Sequence, residues 1–585
     1  MNYNGTYSRG IAFGNNQDAT FNSNFNLQMS GNLGDGIEVV AAISDNNIPI
    51  QPQGNTQQLQ DFDKIFIQIK KGKTALTAGD YELRRPNSYF MNYYKKLQGA
   101  TFENTFELGK NKFLSSKGSF AIARGKFARN TITALEGNQG PYRLRGNNGE
   151  RFIIILAGTE RVFIDGVLMT RGQNKDYIVD YNRGEVTFTP NQLITKDKRI
   201  TVEFEYNDQN FNRTLYAINE SYQHNEKLSF NFNLYSEQDG RTSTSERELS
   251  EAQQETFRNI PDDVGVGFAS GLDSIGFTTD QILYKLMDTV VNSIVYDSVL
   301  VYSTHPDSAI YSVRFSEVGE GNGDYIRLQS AANGTVLGWI APDPNTGEKR
   351  GSFAPLIQLT APVQQQLYTL GANYQINKTS KIQTEIALSY RDLNRFADVN
   401  SQNNMGYAGK IIYENEKTIS KKKGIVLKAS ADYEFTQRNF QALNPFRPRE
   451  FTRDWNVETD ESANQHIAKA GLALSKKNLG AIRYEFSTYL QGQIYTGLKH
   501  FGALNLNKNG WLINAEGNFL NTNNLIEATN FSRPKAKIEK TFTINDSSKT
   551  AKKRTFKLGI YGERERNQRN LSAVDSLEST SFYYD

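Results

Sequence analysis

Cysteine is absent from this 585-residue sequence, and there are only four histidines. Without a thiol the chain has no disulfide framework, no thiolate metal site and no cysteine nucleophile. The histidines, at 224, 305, 466 and 500, are far apart, and no pair has the spacing of metal ligands. We therefore expect no metal centre and no other cofactor.

Neither a strong net charge nor a long apolar run is present. The 67 basic and 63 acidic residues leave a formal charge of +4, which predicts no nucleic-acid partner. No stretch approaches the roughly 18 consecutive apolar residues of a membrane-spanning helix. Residues 1–5 lack the basic and apolar parts of a secretory signal. Either the chain is not exported or the start of the gene product is missing.

Motifs of catalysis are also missing. The sequence has no Gly-x-Ser-x-Gly elbow, so it predicts no serine hydrolase of that type. The glycine-rich run at 319–324 is not followed by the Lys-Ser/Thr pair of a phosphate-binding loop, and it is interpreted as a turn. No convergent acid, base and nucleophile can be identified, and we expect a protein that is not an enzyme.

The sequence is instead rich in aromatic residues and glycine, with 35 Phe, 30 Tyr and 46 Gly. Its mean hydropathy is nevertheless only −0.59. Apolar and polar residues alternate with a period of two over segments of about nine residues or more, joined by short polar turns. This pattern predicts long antiparallel hairpins, most clearly at 21–43, 368–390, 425–435 and 482–490.

Strand length distinguishes two kinds of β protein. A tilted strand needs about 9 to 11 residues to cross a membrane, whereas strands of soluble sheets average about 5 to 6. Tyr390, Tyr433 and Tyr489, at or near strand ends, would suit an interfacial aromatic girdle. The predicted fold is therefore mainly β, an antiparallel transmembrane-type β-barrel. The alternative is that these aromatics are ordinary strand formers in a soluble sheet.

Two regions interrupt the long alternation. Strands shorten between 137 and 208, with turns at Asp165-Gly166 and Asn182-Arg183-Gly184, which predicts an inserted small β-sandwich. Residues 241–366 begin with a helix-prone segment, 245–259. They continue with an amphipathic stretch of helical spacing at Ile282, Leu283, Leu286, Val290 and Val291, and predict an inserted α+β domain. Barrel strands are expected at 1–136, 209–240 and 367–585, the last set incomplete.

The most unusual run lies between two predicted strands, at 45–58. Its prolines exclude ladder pairing, and its amides offer donors and acceptors to a polar ligand. One interpretation is a lumen constriction or docking loop, and the other is a rigid loop packed against the barrel wall. The candidate residues are Asp45, Asn46, Asn47, Pro49, Gln51, Pro52, Asn55, Gln57 and Gln58.

Five short motifs resemble the very large, poorly characterised outer-membrane barrel proteins of the Bacteroidota. They are residues 43–49, 61–64, 79–83, 162–166 and 180–188. The resemblance extends over most of the chain and is stronger in the first 210 residues. It implies location and architecture, because that family has no established reaction. The lack of an export signal and of a closing strand departs from the family pattern and suggests a partial gene product.

Two functions follow as hypotheses. The first is a non-enzymatic outer-membrane barrel for transport, secretion or surface assembly, in contact with outer-membrane lipid and with periplasmic or surface proteins. The second is a secreted or surface-attached β-rich adhesin or glycan-binding protein, which would have no continuous apolar band. A closed barrel would follow from the first, because every backbone polar group in lipid must be paired.

Overall fold

A computed structural model describes the backbone of most of the chain. The described residues are 2–14, 17–47, 65–123, 125–147, 153–207, 213–241, 251–261, 266–279, 281–329, 335–397, 399, 401–457, 463–525, 527–544, 554–571 and 579–584. They form two compact units. The first comprises 1–239, 365–391 and 402–585, and the second comprises 240–364 and 392–401.

The first seven strands belong to one large sheet in the first unit. Their alternating Phe, Ile, Thr and Ser residues suit a pleated surface with two different faces. They are β1 (Asn2–Gly14), β2 (Gln17–Asn32), β3 (Ile37–Asn47), β4 (Phe66–Lys71), β5 (Thr74–Arg84), β6 (Tyr94–Gly109) and β7 (Lys112–Ala123).

Eight strands, most of them shorter, follow and form a small β-sandwich between 126 and 207. They are β8 (Lys126–Thr133), β9 (Tyr142–Arg143), β10 (Ile154–Ile155), β11 (Arg161–Ile164), β12 (Val167–Leu168), β13 (Tyr177–Asp180), β14 (Glu185–Phe188) and β15 (Arg199–Asn207). One sheet pairs β15 with β8, β10 and β11, and the other places β14 between β9 and β13. Both sheets contribute to one buried core that includes Val162, Val186 and Phe204.

The chain then returns to the large sheet with β16 (Arg213–His224) and β17 (Leu228–Asp239) before it forms the second unit. That unit has one helix, α1 (Glu251–Arg258), and ten short or medium strands. The strands are β18 (Val266–Ser270), β19 (Leu272–Ser274), β20 (Leu283–Val291), β21 (Ile294–Tyr302), β22 (Tyr311–Val313), β23 (Ser316–Glu317), β24 (Tyr325–Leu328), β25 (Val336–Trp339), β26 (Phe353–Ala354) and β27 (Leu356–Thr360).

The remaining strands complete the large sheet. They are β28 (Gln364–Gln375), β29 (Ser380–Asp392), β30 (Met405–Ser420), β31 (Ile425–Thr436), β32 (Gln465–Lys476), β33 (Gly480–Gln491), β34 (Tyr495–Lys508), β35 (Trp511–Asn524), β36 (Glu527–Ile544), β37 (Arg554–Glu563), β38 (Glu565–Leu571) and β39 (Ser579–Tyr584). A short helix, α2 (Phe451–Trp455), lies between β31 and β32, and a 3-10 turn, Ser401–Asn403, precedes β30.

The large sheet has 21 strands and is an antiparallel meander. From β1 to β37 each strand pairs with the next one of the sheet along the chain, with β7 joined to β16 and β17 to β28 across the two interruptions. At the far end β36 pairs with both β37 and β38. Among the described residues no pairing of β39 with β1 closes the sheet. The mainly antiparallel β fold predicted from the alternation is confirmed.

The two faces of the large sheet are opposite in character. On the face that we call the apolar face, large side chains are exposed: Phe102, Phe120, Tyr216, Ile218, Phe230, Phe232, Leu370, Ile386, Leu388, Tyr407, Ile411, Tyr433, Leu472, Ile482, Tyr484, Phe519 and Ile538. On the other, the polar face, hydrophilic side chains are buried: Thr77, Thr101, Ser119, Asn231, Asn233, Thr369, Ser389, Glu434, Gln465, Ser487, Gln491, Thr522 and Thr529. A sheet in water has the reverse arrangement.

The two ends of the large sheet also differ. At one end, the short-turn end, hairpins close through tight turns in which Asn111, Asn225, Asn478 and Asn509 adopt the left-handed conformation. Alternate connections of a meander lie at the opposite end. There several consecutive strands are far apart in sequence, as are β3 and β4, β5 and β6, and β31 and β32, whereas only two or three residues separate β1 from β2, β33 from β34 and β35 from β36.

Two expectations from sequence need adjustment. The small β-sandwich begins earlier than 137, because β8 pairs with β15 and not with the large sheet. Helix α1 lies within the helix-prone segment, but the amphipathic stretch that includes Leu283 to Val291 is strand β20. Its Thr289, Val290 and Val291 are stiff β-branched residues, which favour a strand. No helix among the described residues is long and apolar enough to cross a membrane.

Candidate functional site

A loop between β5 and β6 lies on the polar face of the large sheet. We call residues 85–93 the short polar-face segment. Pro86 cannot donate a ladder hydrogen bond, which favours the end of β5 at Arg84. The Arg85 guanidinium then donates to the carbonyl oxygen of Ser88 at 2.6 Å, so the turn that follows is held by its own side chain.

Glu385, on β29, anchors this segment. Its carboxylate accepts hydrogen bonds from Ser88 Oγ at 2.7 Å, Tyr89 N at 2.8 Å and Phe90 N at 2.9 Å. Hydrogen bonds to a charged acceptor are stronger than neutral ones. One carboxylate thereby fixes three consecutive residues against the sheet.

Glu434, on β31, supplies a second anchor. The Tyr89 hydroxyl donates to Glu434 Oε2 at 2.7 Å, and Lys410 Nζ lies 3.2 Å from the same oxygen. Arg447 Nε donates to Glu434 Oε1 at 2.8 Å, and Lys410 Nζ also lies 4.1 Å from the centroid of the Tyr89 ring. The buried carboxylate is thus neutralised by two cations, as a buried charge requires.

Arg447 belongs to a second loop on the same face, residues 437–457, which we call the long polar-face segment. It contacts the short one through aromatic rings: the Phe90 ring lies 5.6 Å from that of Phe440 and 5.2 Å from that of Phe446. Asn92 Nδ2 also donates to the carbonyl oxygen of Pro445 at 2.8 Å. The two segments therefore form one packed body over the polar side chains of β29 to β31.

The long polar-face segment also contacts the small β-sandwich. Arg449 pairs with Glu203 of β15 at 3.2 Å, and its guanidinium lies 3.6 Å from the centroid of the Phe163 ring. Glu450 accepts a hydrogen bond from Arg199 at 2.9 Å. These contacts are charged and partly exposed, which is typical of surfaces that separate more readily than an apolar core.

A buried group of charges joins the small β-sandwich to the large sheet. Lys95 Nζ lies 3.1 Å from Glu237 and 3.7 Å from Glu205, and Arg213 pairs with Glu237 at 3.6 Å and with Asp239 at 2.6 Å. We call these five residues the charge cluster. Burial raises the pKa of Glu205, on β15, to about 7, against the opposing influence of Lys95.

A polar cavity of about 280 Å³ lies on the polar face near the short-turn end. Its walls are mostly uncharged amides and hydroxyls, among them Asn87, Ser221, Asn231, Asn373 and Gln383. Several bond to one another, as in the 2.9 Å contact from Gln383 Nε2 to Asn373 Oδ1. Such a lining suits water or a neutral polar solute.

The residues predicted as a docking loop are only partly described. The backbones of Asp45, Asn46 and Asn47 belong to β3 and pair with Phe25, Asn24 and Ser23 of β2, so the strand extends into the predicted loop. Pro49, Gln51, Pro52, Asn55, Gln57 and Gln58 lie outside the described residues. A role for this run as a lumen or docking loop stays a prediction.

The two polar-face segments were not predicted from sequence. A signal exists in each, because residues 86–94 and 440–451 carry aromatic residues and prolines that break the period of two. Among the described residues, no three His, Asp or Glu side chains are grouped so that they could hold a metal ion. The two segments therefore cover part of the polar face as one packed body that is held by carboxylates and by aromatic contacts.

One family model matches part of the chain. It is described as a domain of unknown function (DUF8818) and covers residues 127–208, which correspond to the small β-sandwich. No curated protein matches the chain.

Solved structures of two kinds are similar over nearly the whole chain. OccAB2 of Acinetobacter baumannii has 8% identity and a TM-score of 0.26, with 97% of this chain and 93% of that chain covered. The P pilus usher (PapC) translocation pore has 11% identity and a TM-score of 0.23, with 100% of this chain and 94% of that chain covered. At TM-scores this low, neither similarity identifies the function of this chain.

Proposed function

We propose that the large sheet is the wall of an outer-membrane β-barrel, and that the protein transports, secretes or assembles material across or on that membrane without being an enzyme. The observation that carries this proposal is the inverted sheet, with exposed apolar side chains on one face and buried polar side chains on the other. Lipid contact removes the cost of exposing apolar residues, and a water-filled interior accepts the polar ones.

Repeated aromatic pairs on the apolar face support a membrane boundary. The Tyr433 hydroxyl lies 2.8 Å from His466 Nδ1, and the Tyr484 hydroxyl lies 2.7 Å from His500 Nδ1. Each histidine also packs across the strands against a phenylalanine, Phe435 or Phe486. Side chains with an apolar body and a polar tip favour the interface between hydrocarbon and water.

The position of the two polar-face segments supports a gated passage through the barrel. In a barrel they would occupy the interior, where they would obstruct passage until they move. Charged contacts and the charge cluster hold this obstruction together with buried apolar residues, since Phe90 and Phe440 of the two segments belong to one hydrophobic cluster with Leu367 of the sheet. By the usual rule for such barrels, the short-turn end faces the periplasm and the end with long connections faces the cell exterior. The motifs quoted above favour the large barrel proteins of the Bacteroidota as relatives.

Membrane fractionation with heat-modifiability on a gel tests this function. The chain is expressed behind an export signal, and its mobility is compared before and after boiling. We expect recovery in the outer-membrane fraction and a heat-dependent shift, because folded barrels resist unfolding by detergent. A soluble product with unshifted mobility would reject the proposal and return us to a surface adhesin or glycan-binding protein.

A further inference from the structure

A row of polar side chains crosses the apolar face of the large sheet. Asn104 of β6 lies opposite Ser116 of β7, and Ser116 lies opposite Glu220 of β16. Thr74 Oγ1 donates to Asn104 Oδ1 at 2.8 Å, and Ser116 Oγ donates to Glu220 Oε2. We call these four residues the polar row. These two hydrogen bonds use only some of the donors and acceptors that the four side chains offer.

Apolar side chains border the polar row on both sides. Towards the short-turn end, Phe106 lies opposite Leu114, and Leu114 lies opposite Tyr222. On the other side Gly118 lies between Phe102 and Ile218, whose side chains are 45% and 38% exposed. Glu220 itself lies opposite Phe232. A carboxylate in this position is costly in lipid unless a partner neutralises it.

Glu220 has no cationic partner in the described part of the chain. Its single hydrogen bond there comes from Ser116, which leaves Oε1 as an unused acceptor. A matching ligand therefore carries a positive charge and N–H donors. A primary ammonium group has both properties, whereas a quaternary ammonium group has the charge without the donors.

The surroundings of the polar row suit an amphipathic ligand. A Cβ atom on Gly118 would meet nothing within 4 Å, so this position is an open notch beside Phe102 and Ile218. Glu220 is four residues from His224, where β16 ends. Four residues correspond to roughly 13 Å along a strand. With the usual tilt of a barrel strand this distance places the row near the headgroup region.

We propose that the polar row binds the ammonium headgroup of an aminophospholipid, with one acyl chain lying over the notch at Gly118. The proposal rests on the proposed function, because only a membrane-facing sheet presents this row to lipid. Anionic phospholipids would be repelled by Glu220, and choline lipids would leave its acceptor without an N–H donor.

Native mass spectrometry of the detergent-purified chain tests the site. The protein is mixed with equal amounts of phosphatidylethanolamine, phosphatidylcholine and phosphatidylglycerol, and the bound lipids are counted. We expect phosphatidylethanolamine to bind about tenfold better than either competitor, since a charged hydrogen bond is worth about 1.5 kcal/mol or more. Glu220→Gln should reduce this ratio to near unity.

Glu103→Gln is the matched control, because Glu103 neighbours Asn104 on β6 but belongs to the opposite face, where it pairs with Lys117 at 3.7 Å. It should leave the lipid ratio unchanged. Equal binding of the three lipids by the unsubstituted chain, or an equal loss in both variants, would overturn the site. Glu220→Gln that releases a bound membrane protein but keeps the lipid ratio would also overturn it, in favour of a protein partner.

Heat-modifiability is measured on the same samples. A preserved mobility shift without lipid preference rejects the aminophospholipid site and leaves the proposed function intact. An absent shift in the unsubstituted chain rejects both.

Discussion

At the scale of single residues, Glu385 fixes the short polar-face segment against the sheet, a role that no pattern in the sequence indicates. It occupies an ordinary polar position in an alternating strand, yet it binds three groups that precede it by nearly 300 residues, Tyr89 being 296 positions away. Separation of this kind cannot be read from local periodicity. The same limitation applies to Glu434 and its partner Tyr89, 345 positions apart.

Glu385→Gln tests this anchor. The substitution keeps the size of the side chain but places an amide NH₂ where only acceptors are needed, so we expect the short polar-face segment to lose about 1–3 kcal/mol of local stability. Hydrogen exchange of residues 88–93, followed by mass spectrometry, should rise accordingly. Glu414→Gln, on the polar face of β30 and paired with Lys381 and Lys428, serves as control. Unchanged exchange at 88–93 would contradict the anchoring role.

The pKa of Glu205 predicts a pH dependence. Because its pKa is raised from the usual 4.5 to about 7, the folded state binds a proton that the unfolded state releases. The associated stability, at most about 3 kcal/mol, is complete below pH 4.5 and is lost as the pH rises through 7. Lys95, Glu237 and Arg213 face the same carboxyl group.

Thermal unfolding of the small β-sandwich at pH 5 and pH 8 measures this effect. We expect a lower melting temperature at pH 8, and Glu205→Gln should remove most of the difference. The same change in melting temperature between pH 5 and pH 8 in Glu205→Gln and in the unsubstituted chain would contradict the raised pKa of Glu205.

At the scale of elements, the sequence predicts strands well where one face differs from the other. The hairpins of β2 with β3 and of β28 with β29 follow directly from a period of two. The assignment of β8 could not be predicted, because Lys126–Thr133 has no clear period of two and follows closely after β7 of the large sheet. Which sheet a strand joins depends on its pairing partner, and pairing is decided by contacts distant in sequence.

Close packing of the long polar-face segment on β30 predicts a selective effect of two glycines. A Cβ atom at Gly406 would lie 2.2 Å from the backbone of Asn439 and Phe440, whereas one at Gly409 would meet only the Glu385 carbonyl oxygen, at 3.9 Å. Gly406→Ala should therefore displace the segment at a cost of about 1–3 kcal/mol. Gly409→Ala should be close to neutral.

Limited proteolysis within 437–457 distinguishes the two alanine variants. Faster cleavage in Gly406→Ala than in Gly409→Ala is the expected result. Equal cleavage would mean that the segment does not pack on β30 as described.

At the scale of the whole molecule, we expect the loss of folding stability from a charge on the apolar face to depend on how deep in the bilayer the charge lies. Ile386, inside β29, and Ile419, near the short-turn end of β30, are 60% and 56% exposed. In water, arginine at either position would be nearly neutral. In a bilayer, Ile386→Arg should cost about 2–4 kcal/mol and Ile419→Arg about 0–1 kcal/mol.

Urea titration of the folded protein in lipid vesicles compares these two variants. A clearly lower midpoint for Ile386→Arg than for Ile419→Arg is expected. Equal midpoints would indicate that the apolar face does not contact hydrocarbon, even if the chain is recovered with membranes.

The repeated Tyr–His contacts on the apolar face bear on how the large sheet arose in evolution. In β31 the sequence Tyr-Glu-Phe occupies 433–435, and His466 of β32 lies opposite Phe435. In β33 the same sequence occupies 484–486, and His500 of β34 lies opposite Phe486. A meander in which each strand pairs with its neighbours can gain a hairpin without breaking the existing order of strands. Duplication of one such hairpin would lengthen the wall by two strands and copy its boundary residues with it. Homologues of different circumference should then differ by whole hairpins, with extra copies of the Tyr-Glu-Phe and His pair.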